Sequence, residues 1–306
     1  MRVMVSLNKA LRDLLQEDLN VYVIGEDVLD PYGGAFKVSH GLSTRFPSQV
    51  LTTPISEACI VGLGVGMAMH GKRPFVEIMF GDFLTLAMDQ ILNHAVKFSY
   101  MYNSQVKVPI VIRTPMGGRR GYGPTHSQSI EKHFFGIPGL TVYAVSQYAD
   151  PGMVLRRAYD LGSPCLVIEN KVLYPRVLDV LPVCLHPDVV LMTYGGCVEL
   201  AVEAVKHLED DLSVRVIALE QLSPFPVDEV IEATEGIDKV LVVEEGTVGW
   251  NLASECARHL IGRPMRFRSL SAPDHPIPAS LELEKRMLPG TQHIIESLLD
   301  FMEVKI

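Results

Sequence analysis

Two places in this chain combine residue types and spacing that chemistry requires. The first is Glu57, in the run Thr53-Pro54-Ile55-Ser56-Glu57-Ala58, between an apolar strand-like segment and an apolar helix-like one. A carboxylate where strand gives way to helix lies at the C-terminal edge of a sheet, where open α/β folds take their ligands. Residues 59 to 69 carry no charge. An isolated carboxyl in apolar surroundings favours its neutral form and suits proton exchange. A helix N-cap or first-turn carboxylate would use the same position, and the residue alone leaves both readings open. The second place is the loop Arg113 to Gln128, rich in Gly and Pro, with Arg119, Arg120, Tyr122 and His126. Loops at strand ends concentrate function. His126, between Thr125 and Ser127, has the chemistry of an acid, a base or a charge partner. The two arginines suit an anionic substrate, with a solvated loop face as the alternative.

Other motifs are weaker. Gly62-x-Gly64-x-Gly66 lies inside an apolar helix and lacks the spacing of a dinucleotide fingerprint, so close helix packing explains it better. Gly195-Gly196 sits in a strand-to-helix turn, where backbone amides hold anions but where a tight turn needs the same residues. The pair Glu244-Glu245 before Gly246 reads as a domain-surface or interface feature. Nucleophile-elbow, Walker and zinc-peptidase motifs do not occur.

Composition narrows the class. The 306 residues suggest about two domains. An apolar fraction of 48% with 21% charged residues is ordinary for a globular protein, and a net charge of -9 argues against nucleic acid. Five cysteines without a Cys-x-x-Cys pair argue against a disulfide framework or a zinc site, and point to a reducing cytoplasm. The N-terminus reads as an amphipathic helix rather than a signal peptide, and no apolar run approaches the ~20 residues of a membrane span. A soluble protein is expected.

Strand-like and helix-like segments must position these residues. Ser6 is expected to cap the first helix, and Val21 to Ile24 reads as a buried strand ending in Gly25-Glu26-Asp27. Strands follow at Val50–Thr53, Pro74–Met79, Val108–Arg113, Leu140–Val145 and Cys165–Glu169. A long helix is expected over Phe83–Tyr100, burying Ala87, Met88, Ile91, Leu92, Ala95 and Phe98, and another over Ala149–Asp160. Prolines 175, 182 and 187 then interrupt the rhythm and mark a domain boundary. It restarts with strands at Val189–Tyr194, Val214–Leu219, Val240–Glu244 and Phe267–Leu270, and helices at Val198–Leu208, Val227–Thr234 and Asn251–Leu260. Continuous apolar strands separated by amphipathic helices indicate mainly parallel sheets covered on both faces.

Taken together, the blocks Gly25-Glu26-Asp27, Gly33-Gly34-Ala35-Phe36, Thr53-Pro54-Ile55-Ser56-Glu57, Asp89-Gln90, His126-Ser127-Gln128, Glu244-Glu245-Gly246 and Asp274-x-Pro276-x-Pro278 run in a family order. The chain resembles, nearly end to end, the β subunit of thiamine-diphosphate-dependent 2-oxoacid dehydrogenases. The resemblance implies two tandem transketolase-type α/β domains, a pyrimidine-binding domain over 1–180 and a C-terminal domain over 181–306. It implies that Glu57 bonds the cofactor's pyrimidine nitrogen and drives its amino–imino tautomerisation, with Ile55 and Phe83 against the ring. His126 would stand at the substrate end. The loop with Arg119, Arg120 and Tyr122 is more basic than in pyruvate-type members, which suggests an extra negative charge on substrate or carrier. A separate α subunit would hold the diphosphate and Mg²⁺, because its Gly-Asp-Gly motif is missing here, and an α₂β₂ assembly with a β–β contact is the family habit. A lipoyl acyltransferase core and a small 2-oxoacid complete the expected partners. Some members bind K⁺ through backbone carbonyls, here those of Ile110, Ala158, Leu161 and Ser163, although the usual side chains near the last two are absent. A split transketolase, a carboligase and a non-catalytic scaffold are the alternatives.

Overall fold

Residues 1–303 are described by the computed structural model. The strands are β1 (Val21–Gly25), β2 (Val50–Thr52), β3 (Arg73–Glu77), β4 (Val111–Met116), β5 (Thr141–Ala144), β6 (Cys165–Asn170), β7 (Val189–Thr193), β8 (Val214–Ala218), β9 (Gln221–Ser223), β10 (Lys239–Thr247) and β11 (Arg266–Ala272). The helices are α1 (Val3–Glu17), α2 (Leu42–Arg45), α3 (Glu57–Met69), α4 (Phe98–Met101), α5 (Pro151–Leu161), α6 (Cys197–His207), α7 (Val227–Ala233), α8 (Leu252–Leu260), α9 (Leu281–Met287) and α10 (Thr291–Glu303). They build a 7-stranded sheet, β2-β1-β3-β4-β6-β5-β9, and a 4-stranded sheet, β11-β10-β7-β8. Every pairing is parallel except β5 with β9. The fold is therefore the expected pair of mainly parallel α/β units.

The continuous apolar runs behave as parallel strands covered on both faces: every residue of β4, β6 and β7 is buried. Arg113 is the conspicuous exception inside β4. Its guanidinium bonds Glu77 on β3 and, at 2.8 and 2.5 Å, Glu169 on β6, whose carboxylate also accepts from Tyr174 Oη at 2.7 Å. Burial alone would lower the Arg113 pKa, but the two carboxylates raise it above its ordinary value and keep it charged. One apolar cluster runs through both sheets, from Ile112 and Ile168 to Val190 and Val242, so the two units share a core.

Two expectations are corrected. Ser6 does not cap α1: the helix starts at Val3, and Ser6 turns inward to bond the Asp150 carboxylate that caps α5. The stretch Phe83–Tyr100 is not one α-helix but a 3₁₀ turn over Gly81–Ala87, a π-helical segment over Gln90–Ala95 and then α4. Its buried residues Ala87, Ile91 and Ala95 recur at i, i+4 spacing. That spacing also suits a regular helix, which is why the sequence reads as one; Leu92 is only half-buried. The short strand β9, after residue 180 in sequence, forms the edge of the first sheet against β5. Among the described residues, no helix is long and apolar enough to cross a membrane.

Candidate active site

In the first sheet the chain order reverses at β1/β3, and the segments leaving the C-terminal ends of the strands flank that crevice. Glu26 follows β1 directly, and Glu57 opens α3 after β2. Ser56 stands at the N-cap without a side-chain bond, so α3 begins with free amides and a first-turn acid. Gly64 lets α3 lie flat on the sheet: a Cβ there would come within 2.7 Å of Val76 and 2.9 Å of Ile110. This is the close packing expected from the glycine run.

Glu57 is buried at 6% exposure, while its neighbour Ile55 is 81% exposed. Among the described residues the Glu57 carboxyl makes no hydrogen bond, and Glu26 Oε1 and Thr53 Oγ1 are buried without partners. Burial raises the Glu26 pKa, and the charges of Glu57, Asp27 and Glu77 raise it further. The crevice thus gathers carboxyls with hydrogen-bonding capacity that the chain itself leaves unused. A heterocycle with a ring nitrogen and an amino group fits that donor and acceptor set.

Along the same edge lies an aromatic cluster around Phe80, which ends the segment leaving β3. Phe80 contacts His126 (ring centroids 5.0 Å), Phe36 (5.9 Å), Tyr122 (6.3 Å) and Phe83 (6.4 Å). The Phe83 and His126 rings meet edge to face at 5.1 Å. His126 Nδ1 lies 3.0 Å from Thr125 Oγ1. Asp82 Oδ1 accepts from the backbone amide and side chain of Gln128, at 3.1 and 2.9 Å, and Lys171 Nζ donates to the His126 carbonyl at 2.7 Å. Lys171 is fully buried at the end of β6, and burial pulls its pKa down to about 8, against the opposing charges of Asp82 and Glu245. The sequence reading passed over Phe80, Asp82, Glu26 and Lys171 as site residues. Their signal was the position of each just past the end of a strand.

The expected arginine pair separates. Arg119 Nε bonds Glu245 Oε2 at 2.9 Å and its terminal nitrogen bonds the Pro289 carbonyl at 2.6 Å, both in the second domain. Its joint action with Arg120 on a substrate is therefore revised to a domain contact. Arg120 remains on the site side, 5.4 Å from the Phe36 ring, with a bond of 3.0 Å to the Lys171 carbonyl. The exposed Tyr122 stands beside it. Glu244 and Glu245 are buried: Glu244 accepts from the first amides of α8, at 3.1 and 3.0 Å, and Glu245 faces the Arg119 loop. Ile110, Ala158, Leu161 and Ser163 lie near the N-terminal starts of β4 and β6, at the opposite sheet edge from Glu57. There the Ile110 carbonyl accepts from Cys165 N and the Tyr159 carbonyl from Arg73. Among the described residues no group of three His, Cys, Asp or Glu side chains could hold a metal.

The pyrimidine binding domain of transketolase matches residues 1–177, and the transketolase C-terminal domain matches residues 179–294. The pyruvate dehydrogenase E1 component subunit beta of Rickettsia felis is 33% identical, over 96% of this chain and 97% of that protein. The chain belongs to the β-subunit family of thiamine-diphosphate-dependent 2-oxoacid dehydrogenases. The 2-oxoisovalerate dehydrogenase subunit beta of Bacillus subtilis is 32% identical (97% of each chain). The acetoin:2,6-dichlorophenolindophenol oxidoreductase subunit beta of Cupriavidus necator is 31% identical (95% and 94%). A solved split-gene transketolase, an inactive β4 tetramer, superposes over 100% of both chains with a TM-score of 0.79 at 18% identity, a likeness of fold. In this chain the Thr53–Glu57 junction and the His126 loop both follow C-terminal strand ends of the first sheet.

Proposed function

We propose that this chain is the β subunit of an enzyme that decarboxylates a 2-oxoacid and passes the acyl group to a lipoyl carrier. The observation that carries the proposal is Glu57, buried at a strand-to-helix junction with no hydrogen-bond partner among the described residues and with Glu26 beside it. Bound thiamine diphosphate supplies the carbanion chemistry, and this chain supplies the environment. Glu57 would hold and exchange a proton at the pyrimidine nitrogen, with Ile55 and Phe83 against the ring and Glu26 beside it. His126, braced by Asp82 through Gln128 and by Lys171, would present its imidazole to the substrate or to the departing acyl group. Arg120 and Tyr122 would meet an anionic group on the substrate. The exposed Ile55, next to Glu57, offers apolar surface at this edge for another subunit.

An α subunit would hold Mg²⁺ and the diphosphate, in an α₂β₂ assembly with a β–β contact and docking to a lipoyl acyltransferase core. The carbonyls of Ile110, Ala158, Leu161 and Ser163 are the proposed K⁺ ligands, cytoplasm the proposed compartment, and 1–180 and 181–306 the proposed domains. The test is co-expression with a candidate α chain and a panel of pyruvate, 3-methyl-2-oxobutanoate, 2-oxoglutarate and acetoin, with a dye as electron acceptor. Thiamine-dependent turnover is expected, and Glu57→Gln should lower it at least ~100-fold with assembly intact. Turnover indifferent to Glu57→Gln would return the chain to a scaffold role, and turnover only with a sugar-phosphate donor to a transketolase.

A further inference from the structure

In the second sheet the chain order reverses at β7/β10, and the crevice at the C-terminal ends of those strands is where an open α/β sheet takes a ligand. Here it is filled by the first domain's own loop. Glu245, near the end of β10, accepts from Gly118 N at 2.6 Å and Ser129 Oγ at 3.0 Å; Tyr194, just past β7, donates to Glu131. Glu284 on α9 completes the seat. It is fully buried, and its two oxygens accept from Arg119 N at 2.9 Å and Gly121 N at 2.8 Å, the amides on either side of Arg120.

The backbone is shaped for this. Gly117, Arg119 and Gly121 have φ of 92°, 70° and 68°. Alternating left-handed residues turn successive amides the same way and make a concavity for an anion. The anion in this concavity is the Glu284 carboxylate. At Gly118 a Cβ would lie 2.7 Å from Leu288 and 2.8 Å from Glu284, so the loop rests flush on α9. With both flanking amides directed at Glu284, the Arg120 side chain leaves on the opposite side, toward Lys171 and Phe36.

We propose that Glu284 is a positioning residue: it fixes the Gly118–Gly121 backbone and thereby aims Arg120 at the substrate pocket, which makes substrate affinity depend on the second domain. The inference rests on the reading above that Arg120 meets the substrate, and the experiment separates the two. Glu284→Gln keeps the side chain's size but removes its charge and turns one acceptor into a donor facing an amide. In the assembled αβ enzyme, hydrogen exchange at Arg119 and Gly121 should quicken at least ~tenfold. With the best substrate of the panel above, KM should rise about tenfold while kcat moves less than about twofold. Glu284→Asp, which keeps the charge, should recover part of the lost affinity and serves as the variant of record if Glu284→Gln fails to assemble.

Unchanged exchange in the loop would overturn the proposal, as would quicker exchange with KM unchanged. An equal fall in kcat and kcat/KM, with KM constant, would also overturn it, because that pattern belongs to a group acting on the reaction itself. Arg120→Ala is the separate arm: if it leaves KM untouched, the substrate role of Arg120 fails. In that case Glu284→Gln must also leave KM untouched, and the aiming role fails with it. A KM effect in both variants supports both.

Discussion

At the residue scale, Arg119 and Arg120 show how adjacent identical side chains acquire different work. Both are basic loop residues in sequence, but one points into Glu245 and Pro289 and the other toward Phe36 and Lys171. Their substitutions should therefore separate. Arg119→Ala is expected to lower stability by about 2–3 kcal/mol, because it leaves the buried Glu245 short of a charged partner. A urea unfolding midpoint would measure this. Arg120→Ala should leave that midpoint nearly unchanged and instead raise KM for an anionic substrate by roughly tenfold. Equal midpoints for the two variants would remove the distinction. Glu57 was legible as a candidate because its type and its junction sufficed. Phe80 and Lys171 were not, since a place just past a strand end is common to many residues and their types add nothing that separates them from a core aromatic and a solvated lysine.

At the element scale, parallel strands and amphipathic helices read well, because continuous apolar runs and helical stripes are local patterns. What failed was decided by long-range partners. The Gly81–Ala95 segment has the i, i+4 spacing of a regular helix yet forms 3₁₀ and π turns. The short strand β9 carries too little pattern in Gln221–Ser223, and it exists only because β5 presents an open edge. The glycines of α3 were read as packing residues, and Gly64 bears this out against Val76 and Ile110. Gly64→Val should force α3 off β3 and destabilise the protein by about 1–3 kcal/mol, as seen in chemical denaturation. Gly66, with open space around its Cβ position, is the control: Gly66→Ala should be neutral or slightly stabilising.

At the scale of the whole molecule, the two domains meet over buried acids. Burial pushes the Glu131 carboxyl up to about 7, against the opposing Tyr194 hydrogen bond, and pushes Glu244 up to about 7, against its two backbone bonds. The charge of Glu245 raises Glu131 further, and the charge of Glu131 raises Glu244 further. A carboxyl whose folded pKa exceeds its unfolded value near 4.5 favours the folded state in its neutral form. That contribution is full below the unfolded value and is lost as pH rises through about 7. Thermal midpoints should therefore be higher at pH 6 than at pH 8, by the equivalent of about 1 kcal/mol per group. Glu131→Gln should flatten the trend. A midpoint that climbed from pH 6 to pH 8 would contradict it.

The sequence by itself determined the class of fold, the glutamate at the strand-to-helix junction and the histidine loop. Those depend on local type, spacing and hydrophobic period, which the chain carries in order. Only the tertiary structure decided which side chains share the site and which hold the halves together. Arg119 with Glu245, Glu284 with the amides around Arg120, and Phe80 with His126 are far apart in sequence, and no local pattern encodes such pairs. Each is set by where two sheets and their strand ends come to rest against each other.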